Sequence, residues 1–164
     1  METKRCWMCK GELPLELFYK DKYRKDGLDN KCMRCTATRY RQASTTIRFS
    51  TLIANAKSRS KTRGEDLGID VDYLHRLWRY QGGLCYWLGL DLELDGSYGV
   101  RNPQQASLDR LDGSLGYVAG NVVFTTQAAN LGRNSTTYAL FYDFVTNQLG
   151  RQPLPIDLTY LKYL

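Results

Sequence analysis

Two groups of residues have side chains suited to chemistry. The first is Asp109 and Asn130, within residues 107–130. That stretch reads as a strand, a Gly-rich turn, a second strand and the start of a helix. The carboxylate falls where the first strand ends and the amide where the helix begins. Together they suit one hard divalent ion held over a phosphate. The second group is Cys6-Trp-Met-Cys9 and Cys32-Met-Arg-Cys35, with 22 residues between the pairs. Each Cys-x-x-Cys turn brings two thiolates to one side of a metal, and two such turns complete the four-sulfur tetrahedron that Zn²⁺ favours. A redox or disulfide pair is the competing reading. The fifth cysteine, Cys85, lies in an apolar stretch and reads as a small core residue.

The elements around these groups must position them. Residues 1–43 form a module too small for a large core, so the metal would supply much of its folding free energy. Leu13, Leu15, Leu17 and Phe18 are its expected apolar cluster. Lys20, Lys22, Arg24 and Lys25 alternate with Tyr19 and Tyr23, which suits phosphate contact with stacking, or else a solvated hairpin. Residues 36–45 read as a short helix and a link, with Arg39 and Arg41 as contacts to a phosphate backbone. Residues 44–83 read as basic linking helices. In the first, about 46–63, Phe49, Leu52, Ile53, Ala56 and Ser60 share one face. Lys57 with Lys61, and Arg59 with Arg63, stand off that face as like charges at i,i+4, a repulsion that phosphates would relieve. A second helix, 71–81, starts at Asp70 as N-cap and ends at Gly82-Gly83. His75, the only histidine, is expected on its polar side beside Asp72, Arg76 and Arg79.

From 84 to 94 the alternation of Asp91, Glu93 and Asp95 with Leu90, Leu92 and Leu94 predicts a strand with one wet face. A loop follows over 95–105. Strands are expected at 106–111 and 121–126, then a helix from about Gln127. A last helix would run to about Leu149 on the stripe Tyr138, Phe141, Tyr142, Val145 and Leu149. The tail would pack back through Leu158, Tyr160, Leu161 and Tyr163, or present them to a partner.

Hydrophobic residues make up 43% and charged residues 24%, a balance that supports a folded core. No apolar run approaches the roughly 18 residues of a membrane span. A soluble, cytoplasmic protein is expected. Residues 1–64 carry 16 Lys and Arg against 6 Asp and Glu, a net of +10; residues 65–164 carry 7 against 11, a net of −4; the whole chain is +6. A basic front half suggests polyanion binding, and an acidic back half carboxylate chemistry.

Residues 85–144 resemble the HNH endonucleases with their ββα-metal fold, and within them a phage-type group. The matching strings are Ser107-Leu108-Asp109-Arg110-Leu111-Asp112, Gly116-Tyr117, Gly120-Asn121-Val122 and Asn130-Leu131-Gly132-Arg133. Residues 6–35 resemble the zinc module that often precedes this nuclease. The resemblance implies an α+β fold in three parts: a zinc module (1–43), basic helices (44–83) and an HNH-like domain (84–164). It implies that Asp109 and Asn130 hold one Mg²⁺ or Mn²⁺, that Asn121 fixes the loop between the strands, and that Arg133 holds the phosphate near the cut. The family pattern has a water-activating His after the metal-binding Asp. Here that position is Arg110, which does not deprotonate in proteins and can only neutralise phosphate. Asp112, His75, Tyr117 or a relayed water would have to be the base. The expected function is a metal-dependent DNA endonuclease of homing or nicking type, acting on double-stranded DNA. The alternative is a zinc-dependent DNA-binding protein on a nuclease-like scaffold with little or no cleavage.

Overall fold

The computed structural model describes residues 2–94 and 102–164, with side chains for all but 40–43. Asp95 and most of the expected 95–105 loop therefore lie outside the described residues, as does the side chain of Arg41. The chain forms two units, Met1–Thr45 and Thr46–Leu164, so residues 46–83 share a unit with the C-terminal part.

In the first unit, β1 (Thr3–Arg5) pairs antiparallel with β2 (Glu12–Pro14), and β3 (Phe18–Lys20) with β4 (Leu28–Cys32). The turn between β1 and β2 carries Cys6 and Cys9. It closes with the Cys6 amide donating to Gly11 O and the Lys10 amide donating to Cys6 O, while Lys10 takes a φ of 62°. Helix α1 (Met33–Arg63) begins directly after β4, which places Cys35 in its first turn. The buried centre is Cys6, Phe18, Cys32 and Cys35, flanked by partly buried Leu13 and Leu28. The expected leucine cluster is smaller than the sequence suggested. A single 3-10 turn at Leu15–Leu17 follows Pro14 and leaves Leu17 exposed.

Helix α1 is continuous where a link near residue 45 was expected. No Gly or Pro interrupts residues 36–63, and Gly64 ends the run with a φ of 66°. In the second unit, Phe49, Leu52, Ala56 and Ser60 of α1 are buried, with Ile53 partly so. Helix α2 (Val71–Gln81) has the expected cap: the Asp70 side chain accepts from the Tyr73 amide, and Gly82 closes it in the left-handed region. β5 (Leu67–Gly68) pairs parallel with β7 (Tyr117–Val118). β6 (Ala106–Arg110) pairs antiparallel with β8 (Val122–Thr126), setting Asp109 opposite Val123. Helix α3 (Gln127–Arg133) follows β8 at once, capped by the Thr126 hydroxyl accepting from the Ala129 amide.

The core of this unit joins both helices to the hairpin. Phe49 lies against Phe124 with centroids 5.3 Å apart, and Trp78 meets the same ring edge-on at 5.1 Å. Burying each such side chain contributes about 2–3 kcal/mol. Gln81, the last residue of α2, is buried but satisfied. Its amide donates to Leu84 O and Phe124 O and accepts from the Phe124 amide.

Residues 84–94 do not form the expected strand. They make isolated bridges, Leu84 with Asp91 and Glu93 with Gln105. A tight loop, in which Cys85 N–H donates to Leu90 O and Gly89 N–H to Cys85 O, buries Cys85, Tyr86 and Trp87 in succession. Three consecutive buried residues break the alternation a half-wet strand requires. The final helix is also shorter than expected. Helix α4 (Tyr138–Asp143) passes into a π-helical turn at Phe144–Gln148. Phe141 and Val145 are buried, but Tyr142 and Leu149 are exposed. The tail packs through Leu161, whose carbonyl accepts from Tyr73 Oη, while Tyr160 and Tyr163 face solvent.

Gly116 sets the approach of β7 to β5. A Cβ there would lie 2.1 Å from the Asp66 carbonyl oxygen, and neither backbone can yield cheaply. Gly116→Ala is expected to destabilise the chain by about 3 kcal/mol, read as a lower urea midpoint. An unchanged midpoint would mean that β5–β7 pairing contributes nothing.

Candidate functional site

The four thiols of Cys6, Cys9, Cys32 and Cys35 lie within 4.8 Å of one another. A tetrahedral ion with Zn–S bonds of about 2.3 Å needs sulfurs roughly 3.8 Å apart, so the donor set fits zinc with small adjustments. Among the described residues no cysteine is in a disulfide. Backbone geometry favours thiolate at one ligand. Burial opposes ionisation of Cys6, but the amides of Cys32, Cys9 and Met8 outweigh it and bring the thiol down to about 6. Cys35 is pushed up to about 12, first by its hydrogen bond with Cys32 and then by burial. Four thiolates this close ionise together only around a cation. The cluster can therefore hold a structural metal.

The second candidate lies in a cleft of about 1030 Å³ in the second unit. Asp109, at 5% exposure, comes from β6 and Asn130 from α3; both line it. Asn130 is oriented by its neighbours. Its Nδ2 donates to Leu108 O at 2.9 Å and to Ser107 Oγ at 2.8 Å. A carbonyl can only accept, so the nitrogen must face β6, and Oδ1 is the atom left for a ligand.

Asp109 is more occupied than the sequence suggested. Oδ2 accepts from Trp87 Nε1 at 2.8 Å, and Oδ1 from an Arg133 terminal nitrogen at 2.7 Å. One lone pair on each oxygen remains. Burial pushes the carboxyl above its ordinary value, while Trp87 and Arg133 pull it back. Arg133 is turned inward, not toward a phosphate in the cleft. It is 3% exposed, donates also to Arg110 O and Leu111 O, and stacks on Trp87. Its charge is needed to compensate buried Asp109.

Arg110 donates to Glu65 Oε2 at 2.6 Å and to Leu115 O at 3.0 Å, and lies over the Tyr117 ring. Asn121 ties down the connection between the strands. Its Oδ1 accepts from the Asp112 amide, and its Nδ2 donates to Asp112 O and Gly116 O. Asp112 closes a turn on Ser114, whose hydrogen bonds hold the carboxyl below its ordinary value. His75 lies on α2 between exposed Asp72, Arg76 and Arg79, but its ring turns onto α1. Its ring is edge-on to Phe49 at 4.8 Å, with Nε2 3.2 Å from Thr46 Oγ1, and it does not line the cleft.

The basic residues divide. Arg59 and Arg63 line the cleft with Asp109; Lys57 and Lys61 do not. Lys20 at the end of β3, and Lys22, Arg24 and Lys25 on the turn to β4, all stand exposed. There Arg24 pairs with Asp21 at 3.5 Å and Lys22 lies over Tyr23. Arg39 is exposed on α1. Two residues that hold the site in place, Glu65 on the cleft wall and Trp87 buried against Asp109, were not singled out from sequence. Trp87 was hidden in the expected strand, and Glu65 follows a Gly that reads only as a helix end. A comparison with models of known families, with curated proteins and with solved structures finds no match to this chain.

Proposed function

We propose that the chain is a metal-dependent endonuclease of the ββα-metal, HNH-like kind, hydrolysing phosphodiester bonds of double-stranded DNA as a phage-type homing or nicking enzyme. The observation that carries this reading is the Asn130 clamp. Both amide hydrogens are spent on β6, leaving Oδ1 on a cleft that also holds Asp109 and four arginines. The motif strings around them support it.

Asp109 and Asn130 Oδ1 would hold Mg²⁺ or Mn²⁺. When bound, the ion supplies positive charge to the transferring phosphoryl group and the leaving 3′ oxygen. Arg110, steadied by Glu65, neutralises the scissile phosphate from the position where the family has histidine. Arg133 holds Asp109 ionised and in place. Arg59 and Arg63 bind phosphates at the cleft wall. The attacking water gives its proton to a cleft carboxylate, Glu65 or Asp112. The first unit, organised by zinc, would add cations and exposed Tyr19 and Tyr23 to the DNA contact.

One observation favours the second reading, a zinc-dependent DNA-binding protein with little cleavage: Asp109 is already neutralised by Arg133. Incubation of supercoiled plasmid with the full chain and Mg²⁺ or Mn²⁺ separates the two. Nicked or linear DNA is expected. Tight binding with no cutting across plasmids of varied sequence would sink the nuclease and leave the binding protein.

A further inference from the structure

A smaller recess opens beside the cleft, between α1 and β6. Its volume is about 170 Å³, and Arg59, Leu108, Tyr117 and Gln127 line both spaces. It continues with Arg48, Asn55 and Gln105. No carboxylate lines it.

Arg48 is the unusual member. It is half-buried, and one terminal nitrogen donates to Ala106 O at 2.9 Å, which fixes the plane of the guanidinium. Its Nε is buried without a partner, and among the described residues no acid pairs with it. Burial disfavours its charged form. A guanidinium stays protonated regardless, so a half-buried one without a counter-charge costs stability unless an anion joins it. Around it, the side-chain amides of Asn55, Gln105 and Gln127 make no hydrogen bond among the described residues, although each can donate. The recess is well below the roughly 300 Å³ at which ligand pockets begin. That size suits a phosphate group and excludes a nucleoside.

We infer that this recess, with Arg48 as its fixed cation and the amides of Asn55, Gln105 and Gln127 as donors, seats one backbone phosphate of a nucleic acid next to the cleft. The inference rests on the nucleic-acid reading above. It extends the strand's path past Arg59 and assigns Arg48 a role the sequence did not suggest.

The test reads binding, not cutting. The full zinc-loaded chain is titrated against a short, fluorescein-labelled duplex of mixed sequence, without added Mg²⁺, and anisotropy is followed between roughly 50 and 200 mM salt. For Arg48→Gln, the slope of log affinity against log salt should fall by about 0.9, the share of one phosphate contact, with affinity about tenfold weaker at the low-salt end. Arg48→Lys keeps the charge and should retain the slope, even where loss of the fork weakens binding. Melting curves establish that each variant is folded. If Arg48→Gln is unfolded, Asn55→Ala with Gln127→Ala stands in, and a loss of affinity at unchanged slope supports the recess. Folded Arg48→Gln with the wild-type slope overturns the inference, as does a wild-type affinity for the amide pair. Cleavage with a slope indifferent to Arg48 would leave the nuclease and remove the subsite. An Arg48-dependent slope without cleavage would do the reverse.

Discussion

For the proposed nuclease, Asn130→Ala is expected to abolish plasmid cleavage, by at least about 10²-fold, with folding and DNA binding kept. The side chain is half-buried, and what it gives the fold is two hydrogen bonds to β6, worth about 1 kcal/mol each. What it gives the proposed chemistry is an oxygen ligand that alanine cannot replace. The corresponding change at Asp109 is less clean. Asp109→Asn keeps the shape and an acceptor for Trp87 Nε1, but it strands the buried Arg133 charge. Breaking a buried pair from one side costs about 3–5 kcal/mol. Asp109→Asn should therefore lose both activity and melting temperature, whereas Asn130→Ala should lose activity almost alone. Wild-type cutting by Asn130→Ala would remove the amide from the site, and equal destabilisation by both changes would mark the cluster as structural.

The second large effect concerns zinc. Metal analysis of the purified chain should find one Zn²⁺. Chelation, or Cys32→Ser, should unfold Met1–Thr45 while Thr46–Leu164 keeps its own cooperative melt. The first unit buries Phe18 and little else besides its cysteines, far less than an independent domain needs. Zinc binding of about 10–16 kcal/mol in comparable peptides exceeds anything such a core supplies. The sign of the pH effect follows from the ligands. They bind as thiolates, so protons compete with the metal, and acidification should release zinc and melt this unit first. A metal-free protein with a single, chelator-insensitive transition would rule out the four-cysteine centre.

These expectations rest on parts of the molecule that were legible to different degrees. The α2 cap at Asp70, the paired strands around Asp109 and Val123, and the cysteine cluster all follow from local chemistry: a capping carboxylate, a Gly-rich turn between two strand-forming runs, and fixed spacing of soft ligands. The continuity of α1 did not. Its Ser-Thr-Thr run at 44–46 weakens helix propensity, and only the absence of Gly and Pro argues for an unbroken helix. Trp87 was obscured because alternation at 90–95 was extended backwards over residues whose burial is decided by long-range contacts. Arg133 shows the same limit at the site. Its place three residues after Asn130 is plain in the sequence, but the inward turn onto Asp109 and Trp87 depends on a partner 24 residues away.

Gln81 has a consequence beyond packing. In the two-stranded β6–β8 sheet, the outer rim of β8 would otherwise offer bare amides to any extended chain nearby. The Phe124 amide is claimed by Gln81 and the Thr126 amide by the Cys85 sulfur, while Phe124 O is shared between Gln81 and Tyr86. A side chain and a loop thus stand in for a third strand. They deny the hairpin to strand addition from another molecule, the route by which short exposed sheets begin to aggregate.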